Sequence, residues 1–185
     1  MQDRADVAAR ARWRERAGMT GITSHALPPR SLLARHCGAE CYRDAFCARL
    51  PGEVSLERFI AAFYASAAFL PERIVLRLIG RPAGKARIAA LAENRTRAFS
   101  AWSVEAREAD QILLRDFQDR TCSWLCVSRG GAVHGPPDAP GHTELWFGTG
   151  IRHPESLVVR TLVPVHRWYA RRLLAGAARR LSRAG

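Results

Sequence analysis

From Ala98 onward the apolar residues of this chain change from helical spacing to alternation, and near Val165 they change back. A segment read at about 3.6 residues per turn is a helix, and one read at period two is a strand with two unlike faces. A chain read this way belongs to the α+β class, with most of its helices and strands in separate runs.

Before the switch, Ser55 caps a helix whose Leu56, Phe59, Ile60 and Phe63 form one apolar stripe. Pro71 suits the first turn of a second helix, in which Ile74, Val75, Leu76, Leu78 and Ile79 are apolar around most of the girth; such a helix is expected to be largely buried. Gly80 to Gly84 breaks it, and Ile88, Leu91 and Ala92 mark a third, short helix ending near Asn94. Ahead of all three, Glu40 to Leu50 alternates, with Tyr42, Asp44, Phe46, Ala48 and Leu50 on one side. From Tyr42 to Leu50, Asp44 is the single charge on that side.

After the switch, Trp102, Val104 and Ala106 alternate with Ser103, Glu105 and Arg107, the pattern of a strand with one wet face. Strands over Gln111 to Phe117 and around Cys122 follow at hairpin spacing. The loop from Gly130 to Gly141, rich in glycine and proline, is expected to be mobile. Thr143 to Ile151 returns to strand, with Leu145, Phe147, Thr149 and Ile151 on one face, and Gly148 and Gly150 on the other leave room above it. Pro164 starts or adjusts a last helix carrying Val165, Trp168, Tyr169, Leu173, Gly176 and Ala177. The order is one strand, two or three helices, a meander of about four antiparallel strands and a long C-terminal helix that covers one sheet face.

The 185 residues suit a single domain, and 48% hydrophobic content supplies a core. Residues 1–35, rich in Arg and Ala and ending at Pro28-Pro29, are expected to form a disordered or loosely attached basic extension, and residues 36–185 the domain. The uncharged apolar stretch from Phe59 to Leu70 has 12 residues, short of the roughly 20 that a membrane-spanning helix needs. No transmembrane segment is expected.

Net charge is +12, and Lys85 is the single lysine among 29 basic residues. The arginines are scattered apart from clusters in the first 35 residues and from Arg160 to Arg183, so a solvated basic surface outweighs specific nucleic-acid recognition. Binding of nucleic acid or an anionic membrane through these ends stands as an alternative reading. Five cysteines without framework spacing point to a reducing, cytoplasmic setting. Cys122 and Cys126 share a face, but four strand residues at about 3.3 Å each keep them too far apart for one metal ion. No metal and no cofactor are expected.

The stretches "AFSAWSVEA" from Ala98, "LLRDFQDRTCSWL" from Leu113, "LWFGTGI" from Leu145 and "VHRWYARRLL" from Val165 resemble a bacterial family placed near the START-like, or helix-grip, superfamily of Bet v 1 relatives and polyketide cyclases. The resemblance covers roughly residues 36 to 180. It implies a curved antiparallel sheet wrapped on the long C-terminal helix, with two or three helices inserted after the first strand. It also implies a cavity between sheet and helix for an apolar or aromatic small molecule.

Such a cavity needs aromatic walls and a few polar handles. Tyr42, Trp102, Trp124, Trp146, His166 and Tyr169 are the candidate ligand contacts, each weighed against plain core packing. His166 and Asp116 are the candidate proton-transfer groups for a cyclase-like or hydratase-like alternative, with His153 the other histidine nearest the grip and Asp44 a second carboxylate partner to weigh, each against surface capping or salt bridging. The chain carries no P-loop, nucleophile elbow or HExxH motif. Binding of a hydrophobic small molecule without identifiable catalytic machinery is the leading expectation, and the composition is compatible with a homodimer.

Overall fold

A computed structural model describes residues 21–38, 40–130, 141–152 and 157–184, without the side chains of 130 and 157–162. Strands β1 (Thr23–His25), β2 (Tyr42–Pro51), β3 (Ala98–Phe99), β4 (Trp102–Arg107), β5 (Gln111–Asp116), β6 (Thr121–Gly130) and β7 (His142–Ile151) form one sheet in the order β1-β2-β7-β6-β5-β4-β3. Every neighbouring pair is antiparallel. Helix α1 (Leu32–His36) precedes β2, and α2 (Leu56–Tyr64), a 3₁₀ turn (Ala67–Phe69), α3 (Leu70–Leu78) and α4 (Lys85–Ala92) lie between β2 and β3. They carry the chain from β2 to the far edge of the sheet. Helix α5 (Leu157–Ala184) ends the described chain.

The architecture is α+β, a curved antiparallel sheet with a C-terminal helix, as the change of period implies. The local signals hold at several points. Ser55 accepts the amide of Arg58 and caps α2, and Asn94, at φ 57°, closes the turn after α4. Pro164 lies inside α5 and does not start it.

Alternation assigns the sheet faces. On the inner face Phe46, Ala48 and Leu50 of β2, Leu145 and Phe147 of β7, Leu125 of β6 and Ile112 and Leu114 of β5 pack with α2, α4 and α5 in one buried core. Phe59, Ile60, Leu91, Leu174, Ala177 and Ala178 supply its helical side.

The outer face was expected to be wet. Instead a second cluster of Leu32, Leu33, Cys37, Cys41, Ala45, Leu113, Cys122, Trp124 and Cys126 covers it. The described part of the expected N-terminal extension is therefore inside the fold: Thr23–His25 pairs with β2, and Leu33 is fully buried. The room above Gly148 and Gly150 is taken by the same segment. A Cβ on Gly150 would lie 2.8 Å from the Cys37 Sγ, and one on Gly148 would lie 2.9 Å from Trp124 and 3.1 Å from Leu33.

Cys122 and Cys126 are buried apolar side chains of this outer face, as the strand reading required. A disulfide joins Cys37 and Cys41, whose Cα atoms are 5.9 Å apart; the reading of the cysteines as belonging to a reducing setting singled out no such pair. Burial raises the Cys47 and Cys126 thiols to about 12 and lifts Cys122 as well.

Two further expectations are corrected. A β-bulge between Val104 and Ala106 leaves Val104 on the inner face with Trp102 and turns Ala106 to the outer cluster, so Ala106 does not share their side. Helix α3 is not buried: Leu76 is its one buried residue, and Leu78 is 81% exposed. The loop expected to be mobile lies, at 131–140, outside the described residues.

Candidate functional site

The pairing register sets Asp44 of β2 opposite Thr149 of β7, and Thr149 opposite Ser123 of β6, as a polar row across the inner face. Asp44 and Thr149 are 5% and 4% exposed, burial that an unpaired carboxylate would not tolerate. Asp44 is not unpaired. Its Oδ1 accepts the Thr149 hydroxyl at 2.5 Å and the Thr149 amide at 3.3 Å, and its Oδ2 accepts the Tyr42 hydroxyl at 3.1 Å.

His166 of α5 adds the next link, with Nε2 2.8 Å from the Thr149 Oγ1. A threonine hydroxyl has one proton, and here it goes to Asp44. Thr149 can then only accept from His166, so Nε2 carries a proton and Nδ1 of the neutral ring is left with the lone pair. The carboxylate therefore fixes the tautomer of a half-buried imidazole through one hydroxyl. Arg167 lies beside it and donates to the Tyr42 hydroxyl at 3.4 Å. Burial raises the Tyr42 phenol, while its bond to Tyr42 and the nearby Asp44 hold the Arg167 guanidinium in its charged form.

One turn further along α5, Tyr169 donates to the Ala68 carbonyl at 3.3 Å and to the Glu72 Oε2 at 3.2 Å. Burial raises the Glu72 carboxyl above the ordinary range, and burial with Glu72 alongside raises Tyr169. Behind them stands an aromatic group: Tyr64 lies 4.7 Å from Phe99 and 5.1 Å from Phe69, and Phe99 stacks on Trp102 at 6.2 Å.

The inner face is closed along the row Phe46, Phe147, Leu125 and Ile112. The rim row is different. Tyr42, Ile151, Thr121 and Trp102 are only partly buried, and so is Ser123, although β6 is a central strand. Solvent therefore reaches this end of the inner face.

Of the residues singled out from sequence, the structure gathers Tyr42 and His166 in one network, places Tyr169 three residues along the same helix, and puts Trp102 across the same face. Trp124 and Trp146 lie on the outer face, away from α5: Trp124 donates to Gln111 at 2.9 Å, and Trp146 to Ser128 at 3.2 Å. Asp116 serves its own turn, accepting the amides of Gln118, Arg120 and Thr121 and the Thr121 hydroxyl. That leaves it bound to backbone as a turn cap. His153 lies outside the described residues.

Thr149, Ser123, Glu72 and Arg167 were not singled out as site residues. The available signal for Thr149 was a polar residue at an apolar register of β7, matching Asp44, the lone charge on the inner face of β2.

Two open grooves lie elsewhere. One of about 330 Å³ runs among Ala61, Ala65, Ile88 and Leu181, and another of about 400 Å³ among Ser66, Gly176, Arg179 and Arg183. Neither borders the polar row. Among known proteins, no family model, no curated protein and no solved structure matches this chain.

Proposed function

We propose that the chain binds an apolar or aromatic small molecule at the open rim between sheet and α5, in a helix-grip arrangement with α2–α4 as the insertion after the long first strand. The observation that carries this reading is the partly open inner rim, Tyr42, Ile151, Thr121, Ser123 and Trp102, on a face otherwise closed. Apolar walls with a few fixed polar groups are the composition of a small-molecule site. Here the walls are Trp102, Ile151 and Tyr169, and the handles are His166 and Tyr42, held by Asp44 and Thr149.

A second reading rests on the tautomer of His166. An imidazole whose orientation is fixed by a buried carboxylate is suited to move a proton at Nδ1, the work of a cyclase-like or hydratase-like enzyme. Binding is the simpler conclusion, because Thr149, the hydroxyl between Asp44 and His166, is 4% exposed and out of reach of a ligand at the rim.

Native mass spectrometry of the purified protein, followed by denaturation and identification of what is released, tests both. A stoichiometric apolar molecule, lost in Trp102→Ala and retained in Trp146→Ala, is the expected result. Absence of any such molecule, together with no binding of a naphthalene-type fluorescent probe, would remove the proposal. Chemical conversion of the molecule on incubation would transfer the conclusion to the second reading.

A further inference from the structure

Helix α3 turns its apolar side to solvent. Leu70, Ile74, Val75, Leu78 and the capping Ile79 are 49%, 54%, 57%, 81% and 54% exposed. At about 100° per residue they spread over roughly half the circumference, from Leu70 through Ile74 and Leu78 to Val75 and Ile79. Leu76, on the opposite side, is the one residue the helix buries. This inverts the usual amphipathic arrangement.

The patch continues at both ends. At the C-terminal end the Arg81 guanidinium lies 4.4 Å over the ring of Phe117, which is 57% exposed. At the N-terminal end Tyr169 bonds to Ala68 and Glu72 and ties α5 to α3. On the adjoining surface of α5, Val165 and Trp168 are 61% and 57% exposed, and Arg172 lies 4.8 Å from the Trp168 ring. Exposed apolar surface of this kind marks a contact with something.

Its charge says what kind of contact. Arg73 and Arg77 border the apolar arc one helical turn apart, Arg81 and Arg172 stand over its aromatic ends, and among the described residues no carboxylate pairs with any of the four. A second copy docking face to face would set these arginine rows against one another, since a two-fold interface repeats each residue on both sides. An anionic bilayer surface has the complementary sign. It accepts Leu, Ile, Val and Trp to a depth of about 5–10 Å and lets arginines reach the headgroups.

The helix lies on that surface and does not cross it. No single described helix is long and apolar enough to span a membrane; α2 and α3 reach the required hydropathy only together, bent by 48°, and α2 is packed into the core. We propose that α3, with Val165 and Trp168 of α5 and Phe117, is a docking face for an anionic lipid bilayer.

Flotation of the full chain with vesicles tests this, using phosphatidylcholine alone and phosphatidylcholine with about one third phosphatidylserine. Binding to the anionic vesicles is expected, weakened about tenfold or more in the Ile74→Ser, Leu78→Ser double variant and in Arg73→Glu, Arg77→Glu. Both leucine and isoleucine are solvent-exposed, so circular dichroism of the serine variant should match the parent. Equal binding of parent and serine variant, or no binding to either vesicle, overturns the proposal. A concentration-dependent dimer that the serine substitutions dissolve, without vesicle binding, overturns it too and assigns the face to a second copy.

Discussion

A single hydroxyl links the two halves of the candidate site. Thr149 donates to the buried Asp44 and accepts from His166, so the carboxylate and the imidazole are never in contact, yet each depends on it. Thr149→Val keeps the shape and removes both bonds, leaving Asp44 short of one donor in a low-dielectric setting. Urea denaturation should show a loss of about 1–3 kcal/mol, the penalty of an under-satisfied buried group. Thr149→Ser should recover most of it. A valine variant as stable as the parent would mean that water replaces the hydroxyl and that the row is open at its centre.

Secondary-structure elements show where sequence patterning was informative and where it stopped. The inner faces of β2 and β7 were legible because alternation needs no partner: Asp44 and Thr149 each stand out against apolar neighbours at every second position. The phases of Trp102, Trp124 and Trp146 were not legible, because they depend on strand register, and the bulge in β4 reverses the parity after Val104. Helix α3 was misjudged for a related reason. Composition tells how apolar a helix is and not which side has neighbours, and only Leu76 found any.

Helix α1 was invisible because five residues are too few to show a period. Its contribution is measurable. Leu33 packs over Gly148 and Gly150, where any larger residue would collide with it, so Leu33→Ala should cost about 2–5 kcal/mol in chemical denaturation. A loosely attached extension would tolerate the change within about 0.5 kcal/mol.

Across the whole molecule the dominant electrostatic fact is the net charge of +12. Most of the described ion pairs are exposed on at least one side, such as Arg35 with Glu108 and Arg129 with Glu53, and pairs of that kind contribute little to stability. Self-repulsion among the remaining arginines acts over the whole surface. Raising sodium chloride from about 0.02 to 0.2 M shortens the screening length to below about 10 Å. The melting temperature should therefore rise by a few degrees, as calorimetry can measure. A steady fall would show that the pairs around Glu105, Asp119 and Arg152 outweigh the repulsion. Sheet order has a consequence in time as well. Tyr42 of β2 pairs with Ile151 of β7, so during synthesis the first long strand emerges with only the three-residue β1 beside it and waits until the last strand has been made. Such distant pairing is slow. The closing of β2 onto β7, which brings Asp44 to Thr149, therefore has to wait until every strand of the meander has been made.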